Sequence, residues 1–406
     1  MAATEVLIAD GPNLDAFGRL RVSQPIVLFD SQLTYDQQSL LWDAIIAAGG
    51  SQTYQANASA NLLQVNTTPN ASIARQSKAY HRYRPGHSLK ITMTFNLKAA
   101  VQNVIKRVGF FDLNDGIFLQ QAGSGAVTLV RRTSTSGVPV DNAVAQAAWN
   151  IDPMDGNGPS GMALDWALAQ NMLIDLQALY VGRVRVGFNL GVIRYVHEFN
   201  FANVLSLPYI RTANLPVRYE ITATGAAPET AELLEICSSV VAEASGIEER
   251  GYPFAADTGV AAARTVQTTP FPLIAVRPKA TFGGRDNHSQ LIMETAEFQA
   301  SSGTGPFRWR ILYNPTVTGG AWASVHADSI AEVNITGTAL VGGIPIQAGF
   351  SSAANGERIP VAIQQGTIKL PWCLMADGTQ IPVVLECTDL TGSSDLSGAM
   401  QWRELR

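Results

Sequence analysis

Cysteine is nearly absent from the 406 residues. Cys237, Cys373 and Cys387 are too few and too scattered for a disulfide framework or a zinc site, and they read as buried thiols. Charged residues make up only 15% of the chain, and lysine is scarce, at 6 against 22 arginines. That bias fits fixed, planar pairing at interfaces better than a merely soluble surface. No run of about 20 apolar residues occurs, and the start, MAATEVLIADGP, has neither a basic n-region nor an apolar h-region. The expectation is synthesis in a cytoplasm without membrane insertion, which leaves sequons such as Asn57-Ala-Ser and Asn334-Ile-Thr without consequence. The five histidines (His81, His87, His197, His288, His326) lie far apart, and none falls in a metalloprotease or nucleophile-elbow context. His197-Glu198 reads as a satisfied sheet pair. Nothing selects two carboxylates as a glycosidase pair, so no catalytic residue is assigned and no cofactor is expected.

What is present is β pattern. With 46% hydrophobic residues the chain folds, and its length exceeds a single core, so two domains are expected. Gly 35 and Pro 20 are spread without a period between short alternating runs. In Ser88 to Leu97 the residues Leu89, Ile91, Met93, Phe95 and Leu97 alternate with polar or small ones, the signature of a half-buried strand. Asn114-Asp115-Gly116 between two apolar runs predicts a tight hairpin over 109–119, and Arg183 to Phe199 repeats that arrangement around Gly191. Val217, Tyr219 and Ile221 alternate again. Glu232 to Ala244 fits either a helix or a strand, and Tyr35 to Ala48 a short helix or turn stopped by Gly49-Gly50. From Thr265 short strands resume at about ten-residue spacing. The fold expected is all-β: two antiparallel β-sandwich, jelly-roll-like domains with an extended N-terminal arm. The arm is placed at 1–48, the first, lectin-like sandwich at 49–246 and the second at 264–406.

The arm is the most distinctive segment. Asp15-Ala-Phe17-Gly18 opens with a turn, and Arg19, Leu20, Arg21 and Val22 then alternate as a short edge strand before Pro25 interrupts it. Burying the apolar side chains of the first thirty residues yields roughly 1.5–3 kcal/mol each. Ordering thirty backbones costs about 1–2 kcal/mol per residue. The two nearly cancel, so an ordered arm needs strand pairing with its own body or with a neighbour. The interface residues expected are Asp15, Phe17, Gly18, Arg19, Leu20, Arg21, Val22 and Phe29.

Charge is segregated along the chain. Ten basic residues stand between Arg75 and Arg132, and eight acidic ones between Tyr219 and Asp257. Such runs steer neighbouring subunits together, attract an anionic glycan or nucleic acid, or neutralise each other inside one domain. The oxygen-rich turns Asp112 to Gly116 and Asp152 to Gly158 fit either calcium loops or plain turns, and neither has the twelve-residue loop with a terminal Glu. Trp149 and Trp166, with Asp155 and Tyr180 nearby, fit a sugar-stacking platform or core aromatics.

Several stretches resemble a family of tailed-bacteriophage virion structural proteins. They are Asp15-Ala-Phe-Gly-Arg-Leu-Arg-Val-Ser23 with Leu28-Phe-Asp-Ser31, Tyr83-Arg-Pro-Gly86, Arg107-Val-Gly-Phe-Phe-Asp112, Asn114-Asp-Gly-Ile-Phe118, and Arg131-Arg-Thr-Ser-Thr-Ser-Gly137. Further ones are Trp149-Asn150, Asp155 to Gly161, Val181 to Arg185, His197-Glu-Phe199, Asn214 to Glu220 and Ile236 to Ser239. The ordered run covers roughly residues 14 to 245, and the remaining third resembles the family more loosely. The chain departs from the family at Ala242-Glu-Ala-Ser-Gly246 and in the Ala-rich 44–48. The resemblance implies a non-enzymatic component of a virion, in a fibre, baseplate, collar or capsid surface. Its implied partners are other virion proteins and copies of itself; nucleic acid is not among the expected ones. The alternative is a carbohydrate-binding adhesin that reads a host-surface glycan.

Overall fold

The computed structural model describes residues 25–177, 180–212, 214–243, 251–259, 263–301, 306–352, 358–362 and 370–406. The expected interface residues Asp15 and Phe17 to Val22 lie outside that set. The chain divides into two compact units, Met1–Glu248 and Glu249–Arg406. Among the described residues there are only strands and two single-turn 3-10 segments, and no helix is long and apolar enough to cross a membrane.

The first unit is a sandwich of two antiparallel sheets. One runs in the order Ile193–Phe199, Val184–Asn189, Gln170–Leu176, Ser88–Asn96, Ala231–Glu243, Ala60–Val65 and Gly50–Gln55, and Pro25–Gln32 pairs with the C-terminal half of Ala231–Glu243. The other runs Val140–Ala145, Val127–Thr133, Gly116–Gln121, Val104–Phe111, Val217–Ala223, Ser72–Ser77 and Trp42–Ala47. The alternation in Ser88–Asn96 has the expected result: Leu89, Ile91, Met93 and Phe95 are buried in one core with Val108, Phe110, Val217, Tyr219 and Ile221 of the facing sheet. Each is worth roughly 1.5–3 kcal/mol of burial. Both hairpins expected from Asn114-Asp-Gly and around Gly191 are present.

Within residues 25–48, assigned to the arm from sequence, Pro25–Gln32 and Trp42–Ala47 are strands of this sandwich. Phe29 points into the core, 5.5 Å from the Trp42 ring and 5.1 Å from His81, so it is no docking residue for a neighbour. The helix or turn expected over Tyr35 to Ala48 is a turn at Gln38 followed by the strand Trp42–Ala47. Pairing with Ser72–Ser77 supplies that segment's hydrogen bonds and overrides the helix-like spacing of Leu41 and Ile45. Ala231–Glu243 is one long strand. A register shift between Glu235 and Cys237 moves the buried phase by one residue, which is why its sequence also suited a helix.

The segregated charges meet inside this unit. Arg75 reaches from the seven-stranded sheet to Glu235 on the opposite sheet, both about 1% exposed, and its guanidinium stacks 5.0 Å from the Trp42 ring. Glu220 pairs with Arg107 and Arg218, and Lys90 lies 3.9 Å from Glu243. Mutual neutralisation within one domain therefore accounts for part of both runs.

The second unit packs a five-stranded sheet against a six-stranded one. The first holds Tyr252–Asp257, Ser394–Leu405, Gln290–Ala300 and Arg358–Ala362, with Arg264–Val266 beside Ser394–Leu405. The second runs Ala323–Ser324, Ala331–Asn334, Phe271–Pro278, Val383–Asp389, Pro306–Tyr313 and Ile344–Ser352. Ile274, Phe298, Phe307, Ile311, Leu385, Met400 and Trp402 form its core. Tyr252–Asp257 belongs to this sandwich, which therefore begins before residue 264. Cys373 and Cys387 are buried, and Cys237 is half-buried.

Candidate functional site

The expected sugar platform is not a surface. Trp149 is buried, with its ring 6.4 Å from Trp166 and 6.4 Å from the buried Phe188, while Trp166 packs edge-on to Phe188 at 5.7 Å. Both indole nitrogens donate inside the unit: Trp149 Nε1 to the Val144 carbonyl (3.3 Å) and Trp166 Nε1 to Gln146 Oε1 (3.1 Å). Tyr180 packs edge-on to Tyr83. Asp155 is exposed in the loop beyond, where its Oδ1 accepts the Asn157 N–H (2.9 Å) in an ordinary Asx turn. These aromatics close the end of a core, and Asp155 does not join them.

The oxygen-rich turns hold protein donors. Asp112 Oδ1 accepts the N–H groups of Asn114 (2.7 Å) and Asp115 (2.8 Å), which shapes the hairpin. Asp115 is wholly buried: its Oδ1 accepts the N–H groups of Ser134 and Arg211 (both 3.0 Å), and its Oδ2 accepts the hydroxyls of Ser134 (2.9 Å) and Thr212 (3.0 Å). One carboxylate thus ties the hairpin to two distant loops. Asp152 accepts the N–H groups of Met154 (2.9 Å) and Ser160 (3.0 Å). Among the described residues no group of His, Cys, Asp and Glu is placed to hold a metal ion. His197 Nδ1 accepts the Asn150 N–H (3.2 Å), and its ring sits edge-on to Phe199, so it is a satisfied sheet residue.

The two strands of the Asp115 hairpin and their two neighbours, Val127–Thr133 and Val217–Ala223, build a constellation that sequence reasoning did not single out as a site. On the face of the seven-stranded sheet turned away from the core, register places Arg107, Gly109 and Phe111 beside Arg218 and Glu220 on one side and Gly116, Phe118 and Gln120 on the other. Phe111 and Phe118 are buried with Val130, their ring centroids 4.4 Å apart. Arginines roof them: Arg132 lies 5.0 Å from Phe118 and 6.0 Å from Phe111, Arg218 lies 5.7 Å from Phe111, and Arg107 lies 5.9 Å from Phe118. Gly116, at φ +139°, leaves the space that the roof needs, since a Cβ there would meet Phe111 Cβ at 2.2 Å.

Each arginine is also paired. Arg218 Nε and Nη2 donate to Glu220 Oε2 (2.9 and 2.7 Å), and its Nη1 donates to Gln76 Oε1 (2.6 Å). Arg107 donates to Glu220 Oε1 and, through Nε, to Gln120 Oε1 (2.8 Å). Arg132 grips Asp141 with two bonds of 2.7 and 2.9 Å and donates to the Asp112 carbonyl (3.2 Å). Burial works to raise the Glu220 carboxyl, but the charges of Arg218 and Arg107 outweigh it and hold Glu220 below the usual carboxylate range. Glu220 is thus kept ionised, the opposite of what a general acid requires. The residue types of this constellation were legible. Their convergence was not, because it depends on which strands become neighbours.

No protein-family model and no curated protein matches the chain. Solved structures similar to it include an endo-1,3-beta-glucanase from Streptomyces sioyaensis (8% identity, 55% of this chain and 97% of that chain, TM-score 0.38). Another is the carbohydrate recognition domain of Emp46p (8% identity, 54% and 96%, TM-score 0.33). A third is a carbohydrate esterase from the Shiga toxin-encoding bacteriophage phi24B (10% identity, 55% and 100%, TM-score 0.32).

Proposed function

We propose that this protein is a non-enzymatic structural subunit of a tailed-phage virion, present in several copies and held by contacts with other virion proteins. One observation carries the reading: residues from four of the stretches behind the family resemblance are spent on one another. Arg107, Phe111, Asp112, Asp115, Gly116, Phe118, Arg132, Ser134, Arg218 and Glu220 come from four of the resembling stretches and form one stacked and hydrogen-bonded assembly. They fix the shape of a sandwich, which supports a structural role for these stretches. Asp141 and Glu220 on that face are each engaged by arginine.

The second reading, a glycan-binding adhesin, has one observation in its favour. Gln120, Arg107 and Thr222 lie half-buried on the same face, and the Gln120 amide and Thr222 hydroxyl are polar groups of the kind that pair with sugar hydroxyls. Two experiments on the full chain test the pair of readings. Recovery with intact particles in several copies per particle, and no cleavage of capsular or lipopolysaccharide glycans, is the expected outcome. Glycan-array binding that is lost in the variant Gln120→Ala would favour the adhesin, and absence from washed particles would overturn the virion reading.

A further inference from the structure

An open sheet edge carries a row of unpaired N–H and C=O groups, and proteins guard such edges with charge, proline or short length. The strand Ile344–Ser352 ends the six-stranded sheet, pairs on one side with Pro306–Tyr313 and, among the described residues, pairs with nothing on the other. It is nine residues long, the longest of the strands that end the principal sheets, and it carries no charged residue. Pro345 and a register shift disturb only its beginning, and Gln347–Ser352 is regular. Phe350 is 75% exposed on it. Gln347 Oε1 is shielded from water and meets no donor.

We propose that this edge pairs with the same edge of a second copy, antiparallel, about a two-fold axis at Gly349. The segment is self-complementary in that register. Gly349 meets Gly349 on the axis, where no side chain intervenes; an added Cβ would strike the Trp309 ring at 2.5 Å. Phe350 of each copy falls opposite Ala348 of the other, so the exposed ring gains an apolar neighbour small enough to admit it. Gln347 falls opposite Ser351, a neutral polar pair with no charge to repel. The contact is isologous and closes at two copies, joining two six-stranded sheets into one. It does not depend on the virion reading and survives or fails separately from it.

Sedimentation of the full chain tests it, with Phe350→Lys as the blocking variant at an exposed position that the fold does not need. The expected result is a wild-type dimer and a folded monomeric variant. Register is tested by mixing Ala348→Cys protein with Phe350→Cys protein under mild oxidation. Directly opposed strand positions lie within disulfide reach, so covalent dimers form in the mixture and not in either variant alone. A monomeric wild type, or cross-linking in each variant alone equal to that in the mixture, overturns the proposal. So does an assembly that deleting residues 1–24 dissociates and Phe350→Lys does not, because the occupant of the edge is then the N-terminal segment.

Discussion

Asp115 accepts four hydrogen bonds in a space closed to water, so removing its carboxylate strands four donors at once. Asp115→Ala is expected to lower the stability of the first unit by about 3 kcal/mol, read as a shifted urea midpoint. Asp155→Ala, at an exposed turn, should stay within about 0.5 kcal/mol of wild type. Trp149→Ala should cost about 3–5 kcal/mol as a core truncation. His81 adds a pH dependence of definite sign. Burial pulls its imidazole down to about 3, against 6.5 for an unperturbed histidine. Between those values the unfolded chain binds the extra proton, so stability is full above pH 6.5 and falls as pH drops toward 3, by about 1.4 kcal/mol per pH unit. His81→Leu should flatten that part of the stability curve, and a variant curve parallel to wild type would contradict the assignment. His288 in the second unit, lowered to about 4 chiefly by burial, contributes in the same sense.

At the level of elements, strands with one buried face were legible because period-2 alternation is a local property. Ser88–Asn96 and both hairpins follow directly from it. Trp42–Ala47 was not legible, because its partner lies some thirty residues on and supplies the hydrogen bonds that decide its conformation. Ala231–Glu243 was ambiguous because a single bulge breaks its period. The candidate site failed in the same way: Arg107, Arg132 and Arg218 sit in three different strands, and only sheet order brings them over Phe111 and Phe118. The extent of the arm was overestimated for a related reason, since Pro25–Gln32 carries strand residues that pair with Ala231–Glu243 in the same chain. Deleting residues 1–24 should leave both sandwiches folded, whereas deleting residues 1–32 removes Phe29 from the core and should destabilise the first unit by several kcal/mol, about the cost of a Phe truncation. Thermal unfolding of the two truncations distinguishes these outcomes.

Across the whole molecule, two cores are built from separate stretches of chain, Phe29–Ala242 and Val266–Trp402. Calorimetry should therefore resolve two transitions, with Asp115→Ala moving only one of them; a single transition displaced as a whole would show the units to be coupled. The proposed role is that of a part that is assembled, and it rests on residues of four resembling stretches being engaged with one another and on an uncharged sheet edge. The most direct measurement of that role is electron-microscopic localisation of the labelled protein on intact particles. The expected result is ordered density at fixed, repeated positions, sealed on several sides by other subunits. Its absence from the particle, or a single peripheral copy with its polar sheet face free and glycan-bound, would contradict the structural role.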